Sequence, residues 1–274
     1  LFDENSLISK IHLADSMETD AHFRSVYKGS ARLHDASGGM FDPTLSPLIT
    51  AWGFGKGHEV TADTAAVDSI LKFVGFGKTR LRGDSIIKGD RRIQFNFSAI
   101  AKGYGCDCVA AMLERNGVKD YLVEIGGEIA VGGKGPGKDV WLISVDKPIE
   151  SEGVIHDSGA VVRMKSGGMA TSGNYRNFHR AAGKSFGHTI SPVTGRPVAT
   201  DVISATVVAP SSMEADAAAT VCMAVGSAES ERLLKKLGYD AMLIRNDSTV
   251  WMTEGFSTLI VTAESSEPGR RGRN

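Results

Sequence analysis

At 274 residues the chain has room for one large domain or two small ones, and its 42% hydrophobic and 23% charged residues are those of an ordinary globular protein with an ample core. A formal net charge of -1 excludes a general nucleic-acid binder, because neutralising phosphates needs a basic surface that this balanced chain lacks in bulk. No apolar run approaches the roughly 20 residues that a bilayer-spanning helix needs, and the three cysteines match neither a disulfide framework nor zinc-finger spacing.

The chain opens at Leu1 on the approach to a helix, so an upstream segment is expected to be missing. Asp3 to His12 and Asp20 to Asp35 read as helices, the second with Phe23, Val26, Tyr27 and Leu33 on one face. In GGMFDPTLSPLITAWGFG, Asp42-Pro43 forces an extended or turning backbone, and Ser46 and Pro47 supply an N-cap and a first-turn proline for a short helix. Met40, Phe41 and Asp42 then read either as core packing or as a wall for a ring-shaped ligand.

Thr61 to Phe73 is a predicted helix, and Thr79–Arg82, Ser85–Lys88 and Arg92–Phe97 are predicted strands joined by Gly-Asp turns. They lead into NFSAIAKGYGCDCVAAMLERN, a helix with Ser98 as N-cap and Gly117 past its end. Folding alone would not choose a lysine at 102, where the dipole is already positive, or glycines at 103 and 105, each about 1 kcal/mol worse than alanine. Either these glycines admit a neighbouring helix beside a solvated lysine, or the helix start is an anion site on which a phosphate rests.

Beyond it, Tyr121–Ile125 and Glu128–Val131 read as strands broken by Gly126-Gly127, and Val140–Val145 and Ala160–Met164 continue the sheet. GGKGPGKD, residues 132 to 139, has P-loop spacing until Asp139 replaces the magnesium-binding hydroxyl, and it leads into a strand; it reads as a hairpin. MATSGNYRNF and GHTISPVTGRPV read as polar loops. His188 alone reads as a structural histidine, with Ser191, Thr194 and Arg196 near it in sequence adding a functional reading. Ile203–Ala209 is a strand followed by a helix with Ser211 and Glu214 at capping-box spacing. On that helix Asp216 and Thr220 share a face, either as a solvated pair or as hard oxygen ligands suited to magnesium. A helix at Ser227–Leu237 and strands at Ala241–Ile244, Thr249–Met252 and Ser257–Thr262 close one continuous domain.

Taken in order, GGMFDPTLSPLITAWGFG, NFSAIAKGY, VEIGGEI, ATSGNY, HTISPVTGRPV and EADAAATVCMAVG resemble the ApbE-type FAD:protein FMN transferases. The resemblance implies an α+β fold over residues 1–264, a largely antiparallel sheet with helices packed on it and a nucleotide cleft between two lobes, followed by a flexible basic tail at 265–274. It implies magnesium-dependent transfer of the FMN half of FAD to a threonine or serine of an acceptor protein, with release of AMP; some members hydrolyse FAD to FMN and AMP instead. A flavin carrier without turnover is the reading from another class. Carried over residue by residue, Mg2+ falls to Asp216, Thr220 and the Ala99 carbonyl, the pyrophosphate to Lys102, and the flavin nucleotide to Met40, Phe41, Asp42 and Asn96. His188 falls beside the reacting phosphate, as candidate acceptor of the hydroxyl proton, with Lys102 and Asp216 as the other catalytic candidates.

Two positions depart from the family's pattern. Asn96 stands where many members carry aspartate, and Ala219 where some carry a second aspartate before the magnesium threonine. The family's N-terminal strand is expected to precede Leu1. Members are exported and often lipid-anchored in the bacterial periplasm, so membrane association is expected only through an anchor outside this sequence.

Overall fold

The computed structural model describes residues 3–54, 60–146, 158–173, 178–181, 184–187 and 189–261; His188 and the predicted basic tail lie outside them. The elements run α1 (Leu7–His12), β1 (Ser16–Glu18), α2 (Ala21–Ala36), α3 (Ser46–Ala51), α4 (Thr64–Leu71), β2 (Thr79–Arg82), β3 (Ser85–Lys88) and α5 (Ala101–Arg115). There follow β4 (Tyr121–Ile125), β5 (Glu128–Gly132), β6 (Trp141–Asp146), β7 (Ser158–Met164), β8 (Ser166–Gly173), β9 (Phe178–Ala181), β10 (Lys184–Gly187) and β11 (Val202–Ala209). The chain ends with α6 (Ser212–Val225), α7 (Ser227–Leu237), β12 (Asp240–Arg245), β13 (Val250–Met252) and α8 (Glu254–Leu259). The fold is α+β, as expected. No helix among the described residues is long and apolar enough to cross a membrane.

Six strands form the main sheet in the order β13-β12-β11-β8-β5-β4, every pair antiparallel. Helix α6 packs on β8 and β11 and beside α5 and α2. It is buried nearly all round, Ala215, Ala217, Ala218 and Ala219 each at 0% exposure, as expected of a helix apolar on every face. Its short side chains let it lie close to its neighbours. The Phe23, Val26, Tyr27 and Leu33 face of α2 joins the same core, as its spacing predicts, and Asp20 caps that helix through the Phe23 N–H at 2.7 Å.

Helices α5 and α6 are tied by a reciprocal exchange. Asp107 of α5 accepts the N–H groups of Ser212 and Met213 at the start of α6, both at 2.9 Å. In return Asp216 of α6 accepts the N–H of Gly103 in the first turn of α5 at 3.0 Å. The approach depends on missing side chains: a Cβ on Gly103 would stand 2.8 Å from the Met213 nitrogen, and one on Gly168 of β8 would meet the Ser211–Ser212 backbone.

Five local expectations are corrected. Ser98 does not cap α5; its own N–H is taken by Asn96 Oδ1 at 2.9 Å, and the helix begins after Ile100 without a side-chain cap. Ser46 is the first residue of α3, with Leu45 at the cap position. Arg92–Phe97 forms no strand beyond one bridge between Gln94 and Leu45, because side chains take its main-chain groups: His12 Nε2 accepts the Phe95 N–H at 2.9 Å and Lys88 Nζ donates to the Ile93 carbonyl at 3.0 Å. Of Ser257–Thr262, Ser257–Leu259 ends α8, where Thr253 caps the Phe256 N–H at 3.1 Å and the Phe256 ring is wholly buried, Ile260 bridges Val162 as a strand residue would, and Thr262 lies outside the described residues. The first half of MATSGNYRNF is strand β8, because β5 and β11 both offer it partners.

Helix propensity favours alanine over glycine at position 103 by about 1 kcal/mol. The α5–α6 contact reverses that sign. Gly103→Ala is expected to lower stability by about 1–3 kcal/mol in urea titration, as overpacked sites do. Gly77→Ala, with nothing within 4 Å of the added Cβ, should stay within about 0.5 kcal/mol; a stabilised Gly103→Ala protein would refute the contact.

Candidate active site

A cleft of about 650 Å³ opens where α5, α6, β8 and the segment around Pro43 meet. Its lining includes the apolar Leu45, Ile49, Phe54 and Ile190 and the polar or charged Lys102, Glu128, Ser172, Asp216 and Thr220. Met40, Phe41, Asp42, Asn96 and Ala99 also line it, so every described residue singled out in the sequence for nucleotide or metal binding borders one cavity. A hollow of similar size beside the hairpin at Lys134–Asp139 gathers no such set: Lys134 is paired with Asp139 at 2.8 Å, and strand β6, not a helix, follows.

The first turn of α5 supplies the main-chain part of the site. Gly103 lies in the first turn, where the helix supplies no acceptor, and its N–H goes to Asp216 Oδ2. Ala99, just ahead of the helix, lines the cleft. Asp216 is 2% exposed, and its Oδ1 has no hydrogen-bond partner among the described residues. Among the described residues the Thr220 hydroxyl, one turn further along α6, has one hydrogen bond, to the Ser172 hydroxyl at 3.4 Å. A carboxylate oxygen, a hydroxyl and a carbonyl with lone pairs uncommitted are the hard donors that suit Mg2+. Among the described residues no three His, Cys, Asp or Glu side chains gather, so a cation here would draw on neutral oxygens as well as Asp216.

Electrostatics sharpen the picture. Burial pushes the Asp216 carboxyl up to about 6; the Lys102 ammonium opposes that rise and the Glu128 carboxylate adds to it. Lys102 forms an ion pair with Glu128 Oε1. With all three groups ionised the local charge is negative by one, which favours a cation in the cleft before any anionic substrate enters.

The aromatic side is held from below. Asp42 Oδ1 accepts the N–H and hydroxyl of Thr44 at 2.7 and 2.6 Å, and Oδ2 accepts the Phe76 N–H at 2.9 Å. Thr44 in turn accepts the Gly75 N–H at 2.8 Å. The Asp42 carboxylate therefore anchors the wall, while Phe41, 5% exposed, joins the core behind it and Met40 stays half-buried at the rim. Glu128 and Ser172 escaped the sequence reading. The signal for Glu128 was a lone carboxylate opening a strand whose other residues are all buried; Ser172 carried none beyond its place in a polar stretch.

The family model described as the ApbE family matches residues 1–243. The FAD:protein FMN transferase of Salmonella typhimurium is 28% identical over 246 residues, covering 86% of this chain and 69% of that protein. The FAD:protein FMN transferase of Vibrio cholerae is 34% identical over 206 residues, 74% of this chain and 60% of that protein. Among solved structures, the flavin transferase ApbE from Vibrio cholerae superimposes with a TM-score of 0.83 at 27% identity, covering 94% of this chain and 84% of that one.

If Asp42 anchors the wall, Asp42→Ala should destabilise the protein by about 1.5–3 kcal/mol, the scale of a charged hydrogen bond lost with its donors stranded. Met40→Ala, at the rim, should cost under about 1 kcal/mol. Equal stability of Asp42→Ala and the parent in urea titration would exclude the anchoring role.

Proposed function

This chain belongs to the ApbE family, and on that footing we propose that it transfers the FMN half of FAD to a threonine or serine hydroxyl of an acceptor protein and releases AMP. The observation that carries the reading is the convergence, in one cleft, of an ammonium group at a helix start, a buried carboxylate with an uncommitted oxygen and the apolar side chains of Leu45, Ile49, Phe54 and Ile190. In the reaction the acceptor oxygen forms a bond to the phosphorus on the flavin side of the diphosphate, the bond from that phosphorus to the bridging oxygen breaks, and AMP leaves with the electron pair.

Each residue has a role that follows from its place. Lys102 binds the diphosphate and balances charge as AMP departs. The wall of Leu45, Ile49 and Phe54 takes the apolar flavin and keeps water from its side of the reacting phosphorus. Asp216, Thr220 and the Ala99 carbonyl would hold Mg2+, which when bound supplies Lewis-acid neutralisation of the phosphate oxygens. His188, outside the described residues, is proposed as acceptor of the hydroxyl proton, since imidazole titrates near neutrality. Asn96 presents an amide where many relatives place a carboxylate, so its contact to the nucleotide can donate as well as accept.

The test is incubation with FAD and Mg2+, with and without a candidate acceptor, followed by nucleotide chromatography and mass spectrometry of the protein. AMP release with an FMN-sized mass gain on the acceptor is expected. Free FMN with no labelled protein would convert the reading to hydrolysis, and intact FAD retained for hours would end the enzymatic reading. Asp216→Ala should lower AMP release by about 10²–10³-fold, the scale of losing one charge-stabilising group. Undiminished turnover in excess EDTA would remove the metal from the proposal.

A further inference from the structure

Glu128 opens β5 with 4% of its surface exposed. One carboxylate oxygen pairs with Lys102; the other, Oε2, is buried without a hydrogen-bond partner among the described residues. A buried carboxylate so poorly satisfied is a weak source of stability, because desolvation offsets most of what the pair gains. Its surroundings are nevertheless shaped to hold it there. The Cys106 thiol of α5 donates to the Glu128 carbonyl at 3.1 Å, tying the strand start to the helix that carries Lys102. The turn before it uses Gly126 and Gly127 at φ +61° and +96°, and a Cβ on Gly126 would stand 3.3 Å from Lys102 Cδ. The turn therefore folds around the lysine stem, and the carboxylate meets its tip.

Lys102 needs such a partner. Its side chain is 45% exposed, and a lysine that open spreads over many rotamers, so its charge is diluted over a wide volume. Held on one carboxylate oxygen, the ammonium keeps two protons for other acceptors.

We propose that Glu128 is a positioning residue: it fixes the Lys102 ammonium at the cleft edge so that the lysine, and not Glu128 itself, engages the substrate's diphosphate. The assignment rests on the reading of the cleft as an FAD site. It makes the value of Lys102 depend on Glu128, which a purely structural carboxylate would not do.

The experiment is a double-mutant cycle read by calorimetric titration of ADP, which carries the diphosphate without the flavin. Lys102→Met should weaken ADP binding about tenfold in the parent and less than about twofold in the Glu128→Gln background, the signature of coupled residues. Glu128→Asp, which keeps the charge, should recover part of the lysine's contribution. Glu128→Gln keeps the shape, so the cycle survives even where Glu128→Ala fails to fold. An equal or larger loss on Lys102→Met in the Glu128→Gln background would overturn the proposal, since the carboxylate would then act only as a counter-charge. Failure of the functional reading shows separately, as ADP binding in the parent without AMP release from FAD.

Discussion

Two helices that each supply the hydrogen-bond partner for the other's first turn are the constraint on which this structure depends. Asp107 satisfies the opening N–H groups of α6, and Asp216 satisfies the Gly103 N–H of α5. Helix starts ordinarily look to their own preceding residue for that service; α6 has such a cap as well, in Ser211, whereas α5 has none. Crossing the assignments makes the separation of the two helix starts a property of the fold. The cleft's polar half lies at that junction, so its geometry is set before a ligand arrives.

The same junction explains the charge distribution. Asp216 is buried because α6 is buried, and its proton affinity rises for that reason before any functional consideration. Lys102 is exposed because it is at the cleft edge, and Glu128 is buried because it opens a strand whose other residues face the interior. A cation, a buried anion and a second buried anion thus come together from three different elements. The same cleft is lined by aliphatic and aromatic side chains as well, so it offers both charged and apolar surface to a ligand.

Much of this could be read from the chain before folding. The apolar spacing of α2, the capping box at Ser211 and the oddity of a lysine and glycines at a helix start were local signals, and local signals report local structure. The anion-site and oxygen-ligand readings each named residues that now share one cavity. What stayed hidden depends on partners distant in sequence. Ser98 has the right chemistry for a cap, but the residue that serves the Gly103 N–H lies 113 positions away on α6. Met169–Gly173 has the composition of a loop and becomes a central strand because two flanking strands need it. Glu128 looked like any strand-edge charge until Lys102 was found against it.

The Asp42 anchor bears on how ligands are received. Its three hydrogen bonds, with Thr44 and the Phe76 N–H, hold the backbone beside Phe41 and Met40 through contacts within the protein alone. A wall assembled in advance loses little conformational freedom when a planar ring settles on it, so less of the contact energy is consumed in ordering the protein.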